Sequence, residues 1–434
     1  MTEPSPDRRL RVVPSPRGID REQGYAVGQT NWWRLWAEER TPELQWPHSV
    51  AVYDRMRRQD AQVLSVLRAV MFPVQMTEWR VDPAGASPEV AAFIADNLGL
   101  RLVGDGEETP APRERDRFSW DQHLEWALLQ VVFGHMFFEQ VVRIDDDGMA
   151  RLRKLAPRWP RTIQKINVAR DGGLVSIEQP PLAGEIDPVV LPVTRLVAYV
   201  WEREGGNWTG RSLLRSCYKN WLLKDQVLRT WVQGIDRNAM GLPWYTGAEG
   251  ETDLSKGEAI ARGARGGETS GGAGPFGSTL KLLGVEGELI DPEKAVRYMD
   301  EQIGRSVLAH FLNLGTQTGS WALGSTFAEF FTGSLNRLAK SIATVGTQHI
   351  IEDLVDWNFG EAEPAPRITF TPIGQNTQAI VQAMKTLVDA GLIYPDPKLD
   401  AYARDVANLP ARAPFDRPAS SSSSTSSSGG DDDE

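Results

Sequence analysis

The sequence predicts an α+β chain. Two Asp/Gly turn signatures in its middle third mark antiparallel hairpins, and four runs of helical periodicity exceed twenty residues each. No alternation of strand and helix of the kind a parallel sheet requires is present.

The 434 residues are 41% hydrophobic and 24% charged, a globular balance that excludes collagen-like, coiled-coil and wholly disordered classes. A length of this order predicts two or three domains or one elongated, multi-part subunit. The single cysteine, Cys217, excludes a disulfide scaffold and a cysteine-held metal cluster. His48, His123, His135, His310 and His349 never fall two to a helical face, so a histidine metal site is not expected. No cofactor is expected either. The net charge of −11 argues against a protein that grips nucleic acid on an extended basic surface.

Residues 1–20 are rich in Pro and Arg and lack the apolar stretch of a secretory leader, so a disordered arm and cytoplasmic synthesis are expected. The most apolar segment, 126–142, is interrupted by Gln130, His135 and Glu139 and is too short for a membrane span.

From there the elements follow in order. Residues 47–71 read as one helix, with Val52, Met56, Val63, Leu64, Leu67 and Val70 at helical spacing, and 77–81 as a short strand. Residues 88–98 form a helix with Pro in its first turn and Gly99 as C-cap. Ser119 opens a third helix over 120–133. Strands 137–144 and 149–155 flank Asp145-Asp146-Asp147-Gly148, strands 163–168 and 174–178 flank Asp171-Gly172-Gly173, and 196–202 is a further strand.

A long helix spans 212–237, with Leu214, Cys217, Tyr218, Trp221, Leu228, Trp231, Val232 and Ile235 recurring every three or four residues. Residues 246–279 are Gly-rich with a short helix over 254–264, and 280–283 reads as a strand. A second rod covers 292–314 and a third 326–357. Between them, 315–324 holds no charged residue. A strand over 367–372 precedes helices at 377–390 and 399–406, and the chain closes on a Ser-rich run and Asp431-Asp432-Asp433-Glu434, a solvated tail.

Three motifs invite chemistry and do not support it. Gly205-Gly206-Asn207-Trp208-Thr209-Gly210-Arg211-Ser212 has phosphate-loop spacing, but Arg211 stands where a compact lysine ammonium must tuck between phosphates. Asp145–Gly148 lacks the closing Glu of a calcium loop. Ser216 and Lys219 have serine–lysine spacing, mid-helix and without companion motifs. Trp32, Trp33 and Trp36 beside Arg34 could stack on bases, but such residues more often fill cores and interfaces.

Read together, several stretches resemble the portal proteins of tailed bacteriophages. The order from Trp208 onward matches: a Gly-Asn-Trp-Thr-Gly-Arg-Ser-Leu-Leu turn, a long helix, a Gly-rich insert, a second long helix, a small-residue loop, a third helix. The stretch 60–81 (DAQVLSVLRAVMFPVQMTEWRV) is similar to the portal N-terminal helix and its Trp-ended strand. GHMFFEQVV at 134–142 and Leu155-Ala156-Pro157-Arg158 resemble the wing hairpins. Trp357-Asn358-Phe359-Gly360, followed by Arg367-Ile368-Thr369-Phe370, resembles the Mu-type subfamily.

The resemblance implies a portal-type α+β subunit. Its parts are a wing (21–205), a first stem helix (206–239), a clip (240–290), a second stem helix (291–314) and a tunnel loop (315–324). A long wing helix and strand (325–374), a small helical crown (375–409) and the tail (410–434) complete it. It further implies a self-assembled ring, usually of twelve copies, at one capsid vertex of a virion. Double-stranded DNA would pass through it without sequence readout. Terminase large subunit and a head-completion adaptor would dock on the clip, and the major capsid or scaffold protein would surround it. No catalysis and no membrane contact are implied.

In that reading Gly315, Thr316, Gln317, Thr318, Gly319, Ser320, Trp321 and Gly324 line the DNA channel. Arg215, Lys219, Lys224, Arg229, Asp300, Glu301 and Arg305 decorate the stem, where ion pairing between subunits is the ordinary fate of such charges. A neutral loop suits a conduit, because each cation on a phosphate adds adhesion. Twelve acidic subunits would sum to roughly −130 and repel DNA. Two other classes fit less well: a head–tail adaptor or minor capsid protein, and a P-loop-like NTPase.

Overall fold

The computed structural model describes residues 39–106, 109–113, 118–263, 273–283, 291–306 and 321–374, and only the backbone of 236–240 and 321–328. The expected arm, loop residues 315–320, the end of the second rod (307–314), the crown and the tail lie outside the described residues.

The first expected helix is two: α1 (His48–Gln59) and α2 (Ala61–Met76). Asp60 makes the break. Its backbone is extended and its carboxylate accepts from the amides of Gln62 (2.9 Å) and Val63 (3.0 Å), an N-cap that periodicity alone does not reveal. After α2 come β1 (Trp79–Asp82), α3 (Pro88–Leu98) and β2 (Arg101–Leu102). Gly99 ends α3 at φ 67°, the left-handed cap that its position predicts. The helix expected over 120–133 also divides, into α4 (Trp120–Ala127) and α5 (Gln130–Phe133).

Both hairpins form. β3 (His135–Ile144) pairs with β4 (Ala150–Arg158), and β5 (Lys165–Val168) pairs with β6 (Leu174–Gln179). A strand not expected from sequence, β7 (Val189–Pro192), adds to β6, and β8 (Leu196–Val200) adds to the other side of β3. Then follow α6 (Leu214–Met240), β9 (Leu242–Thr246), α7 (Ser255–Gly263), β10 (Thr279–Leu283) and α8 (Pro292–Arg305). β9 was also missed, and it pairs antiparallel with β10. α9 (Trp321–Gly346) runs into a π turn at Thr347–Ile351, α10 (Glu352–Asn358) and finally β11 (Arg367–Phe370). β11 returns to pair antiparallel with β1, Trp79 opposite Phe370, which closes the body across nearly three hundred residues.

The main core lies where α2, α4, α9 and the roots of α6 and α8 meet the β4-β3-β8 sheet, and it includes Val63, Leu124, Phe138, Leu214, Ile303, Leu338 and Ile342. β3 separates it from a smaller core under the β5-β6-β7 sheet. Phe138 faces the first and Phe137 the second, as the two-residue period of a strand requires.

Candidate functional site: the stem and its joint to the wing

The candidate stem begins in a turn that fixes its direction. Gly134, ending α5, and Gly210, before α6, lie back to back at φ 88° and 62°. A Cβ on Gly210 would strike the carbonyl oxygens of Gly134 and Trp201, and one on Gly134 would strike that of Thr209. This close approach lets Trp201 N donate to Gly134 O (2.8 Å), Arg211 N to Trp201 O (2.9 Å) and Leu213 N to Val131 O (3.0 Å). The Ser212 hydroxyl donates to Val132 O and accepts from Leu214 N.

The phosphate-loop spacing is thereby explained. Amides that a P-loop would turn toward phosphates are already bonded to protein: those of Arg211 and Leu213 as above, and that of Thr209 to the Asn207 carboxamide (3.0 Å). The loop is a staple.

Beyond it, α6 and α8 pack antiparallel. Cys217 near the start of α6 meets Ser306 just past α8 (Sγ–Oγ 2.8 Å), and Lys224, two turns further along α6, meets Asp300 (2.6 Å). The 27 residues of α6 make a rod of roughly 40 Å. Leu214, Cys217, Tyr218 and Trp221 at its root are buried, whereas Leu222, Leu223, Val232 and Ile235 are exposed.

Lys224 is the electrostatic centre of the joint. Its ammonium lies between Asp300 and the Asp60 carboxylate (3.0 Å to Oδ2), and Gln62 Nε2 reaches the backbone oxygen of Asp300. One lysine thus links the start of α2 to both α6 and α8. Burial pulls its pKa down, and the hydrogen bonds to the two carboxylates overcome that and raise it. Arg215 makes a second joint with Glu39 (Nη2 to Oε1 3.0 Å). Burial of Glu39 raises its pKa, and the Arg215 and Thr41 hydrogen bonds bring it below the usual range.

Several of the stem charges are already paired within the subunit. Arg229 pairs with Asp225 (2.8 Å) and Arg305 reaches Glu301 (3.9 Å), each one helical turn away on the same helix. Arg215, Lys224 and Asp300 are consumed within the subunit. Lys219 is exposed. The reason is geometric: antiparallel helices rooted in the wing bring complementary charges into reach before any second subunit arrives. Glu39 and Asp60, the partners that matter most, are missed by sequence reasoning; the N-cap position of Asp60 is the one signal that points to it.

Of the expected tunnel-loop residues, Gly315, Thr316, Gln317, Thr318, Gly319 and Ser320 lie outside the described residues. Trp321 and Gly324 are a correction: α9 starts at Trp321, so both belong to its first turn, not to a loop.

The motif residues that carried the resemblance are structural fasteners. Trp208 donates its indole N–H to Gly172 O (2.8 Å) beneath the Arg203 guanidinium, tying the stem turn to the β5–β6 hairpin. Asn358 exchanges two hydrogen bonds with Ala150 (2.7 and 2.9 Å), clamping the end of α10 to the start of β4. Buried Trp79 packs on Trp120 and Phe370. Among the described residues no three His, Cys, Asp or Glu side chains converge as a metal site would require, and no helix is long and apolar enough to cross a membrane.

Solved structures share this fold. A chain described as "Virion of native gene transfer agent (GTA) particle" aligns at a TM-score of 0.53 and 12% identity, over 85% of this chain and 95% of that one. A chain of the "Neck of empty GTA particle computed with C6 symmetry" aligns at 0.55 and 11%, with the same coverage. One of the "Neck of native GTA particle computed with C12 symmetry" aligns at 0.51 and 10%, over 84% and 95%. These likenesses establish the class of fold, that of chains in gene transfer agent virion and neck particles. The family model described as "Portal protein of Mu bacteriophage" matches residues 50–409, and the chain belongs to that family. It is a portal protein, with its place at a capsid vertex of the virion.

Proposed function

We propose that copies of this chain close into a ring, twelve in number, through which double-stranded viral DNA enters the head during packaging and leaves it during ejection. The observation that carries the reading is the antiparallel α6–α8 pair, rooted in the wing by Lys224 and ending distally in the β9–β10 hairpin. Repeated about an axis, such pairs make the wall of a tube. The uncovered apolar side chains of α6, with Val232 59% and Ile235 51% exposed, suit packing against the next copy. The twelvefold count leans on the C12 symmetry of one neck structure of the same fold.

The β9–β10 hairpin with α7 is the clip in this reading, where the terminase large subunit and later a head-completion adaptor dock. Major capsid or scaffold protein surrounds the wing. The chain assembles in the host cytoplasm and carries out no catalysis; the separate terminase supplies the energy of translocation.

The uncharged segment 315–320, joined to the start of α9, is proposed to face the DNA. Lys in place of Gln317 or Ser320 adds one phosphate contact per subunit. Packaging yield or DNA retention falls in both variants while rings still form. Undiminished packaging in both would show that this segment does not meet the duplex.

A further inference from the structure

A cation-rich groove among the described residues has no part in the reading above. It lies between α9 and the outer edge of β11, has a volume of about 830 Å³, and is lined by Arg337, Lys340, Thr344, Gln348, Arg367 and Thr369 among others. Arg337 and Lys340 stand one turn apart on α9, and Arg367 faces them from the strand. All three are exposed, and among the described residues none has an ion-pair partner. Glu352 is the single acid in the lining, so the groove carries an excess of two positive charges.

The chain as a whole is acidic. Its acidic residues exceed its basic ones by eleven, and Arg57, Arg80, Arg143, Arg151, Arg158, Arg215 and Lys224 are all taken up by nearby carboxylates. Three cations left together on one groove mark a surface for an anionic partner.

We infer that this groove is the docking site of the chain's own acidic segment, Asp431-Asp432-Asp433-Glu434. Charge complementarity is the first argument: four consecutive carboxylates meet three unpaired cations. The course of the chain is the second. Its last described stretch is pinned beside the groove, where Asn336 on α9 accepts from Ile373 N (2.8 Å) and donates to Ile373 O (3.1 Å), and Pro372 itself lines the wall. Residues 375–434 start from that point, and an uncharged Ser/Thr/Gly run at 420–430 precedes the acids, a composition that gives reach without a competing charge. Docked there, the acidic segment keeps this groove from adhering to DNA.

The test uses the full chain and a full-length variant in which Asp431, Asp432 and Asp433 become Asn and Glu434 becomes Gln. The probe is a fluorescent peptide of residues 420–434. A tethered tail competes at an effective concentration of the order of millimolar, so the wild-type chain binds the probe at least ~10-fold more weakly than the variant. Binding to the variant falls steeply with salt and is lost when Arg337→Gln and Lys340→Gln are added, both being exposed positions that leave the melting temperature unchanged. Arg262→Gln, on α7, leaves it intact. Equal binding to wild type and variant would overturn the inference, as would binding indifferent to Arg337 and Lys340. A short DNA duplex that binds the wild-type groove and is weakened by those two substitutions would also overturn it, and would reassign the surface to nucleic acid.

Discussion

Lys224 holds two carboxylates from different elements, with only a tenth of its side chain exposed. Removing the ammonium leaves Asp60 and Asp300 facing each other without a counter-charge, which costs more than the pair contributes. Lys224→Ala is expected to destabilise the subunit by about 3 kcal/mol in urea denaturation. Restoring neutrality with Asp300→Asn should recover part of that loss, because the repulsion goes with it. Gly210→Ala meets two carbonyl oxygens at a positive φ, with no flexible side chain to give way. It should cost upward of about 3 kcal/mol and lower the yield of folded protein.

Two buried histidines set the acid limit. His123, bonded to the Tyr199 hydroxyl (2.8 Å), is pushed by burial down to about 3. Burial also pushes His135 down to about 4, against the hydrogen bond to Thr209 O. The unfolded chain binds protons at both rings below about pH 6.5, and the folded chain does not until these lower values are reached. Stability therefore falls as pH drops from 6.5 toward 4, by roughly 1.4 kcal/mol per histidine per pH unit. The urea midpoint measured across this window should drop steeply, and His123→Gln should remove about one proton from the uptake on unfolding. A flat profile would contradict the burial of both rings as neutral groups.

At the scale of elements, local signals were read correctly where one residue type decides the geometry. Gly99 ends α3, and the Asp-Gly turn at 145–148 closes β3 onto β4, with Gly148 N donating to Asp145 O (2.9 Å). The breaks within 47–71 and 120–133 were missed because the apolar period continues through them. β7 and β9 were missed for another reason. Each contains a proline and is apolar at nearly every position, so neither shows in sequence the apolar/polar alternation that marks a half-buried strand, although Leu191 of β7 is buried. The joint was legible only in part: the basic residues of the stem and Asp300 stood out, whereas Glu39 and Asp60 did not, because tertiary packing brings them there. Asn358 likewise gives no local sign of its reach to β4. Asn358→Ala removes both bonds to Ala150 and should cost about 1–2 kcal/mol, read as a lower melting temperature of the purified protein.

Across the whole molecule, the β1–β11 pairing joins residues from opposite ends of the described chain, and no periodicity announces it. What the pairing does is hold α9 and α2 in one core, the base from which α6 and α8 project. The Lys224 node, the Arg215–Glu39 pair and the Gly134–Gly210 staple fasten that base to α6 and α8. A conduit needs such fastening, because a wall whose rods swung independently would leave no opening of constant width. The measurement that bears most directly on this account is electron microscopy of the purified full-length protein, viewed end-on. The account predicts rings with an axial opening wide enough for a duplex and α6–α8 pairs along the bore. Particles without a central hole, or rings whose bore is lined by the wing sheets with α6 and α8 outside, would contradict it.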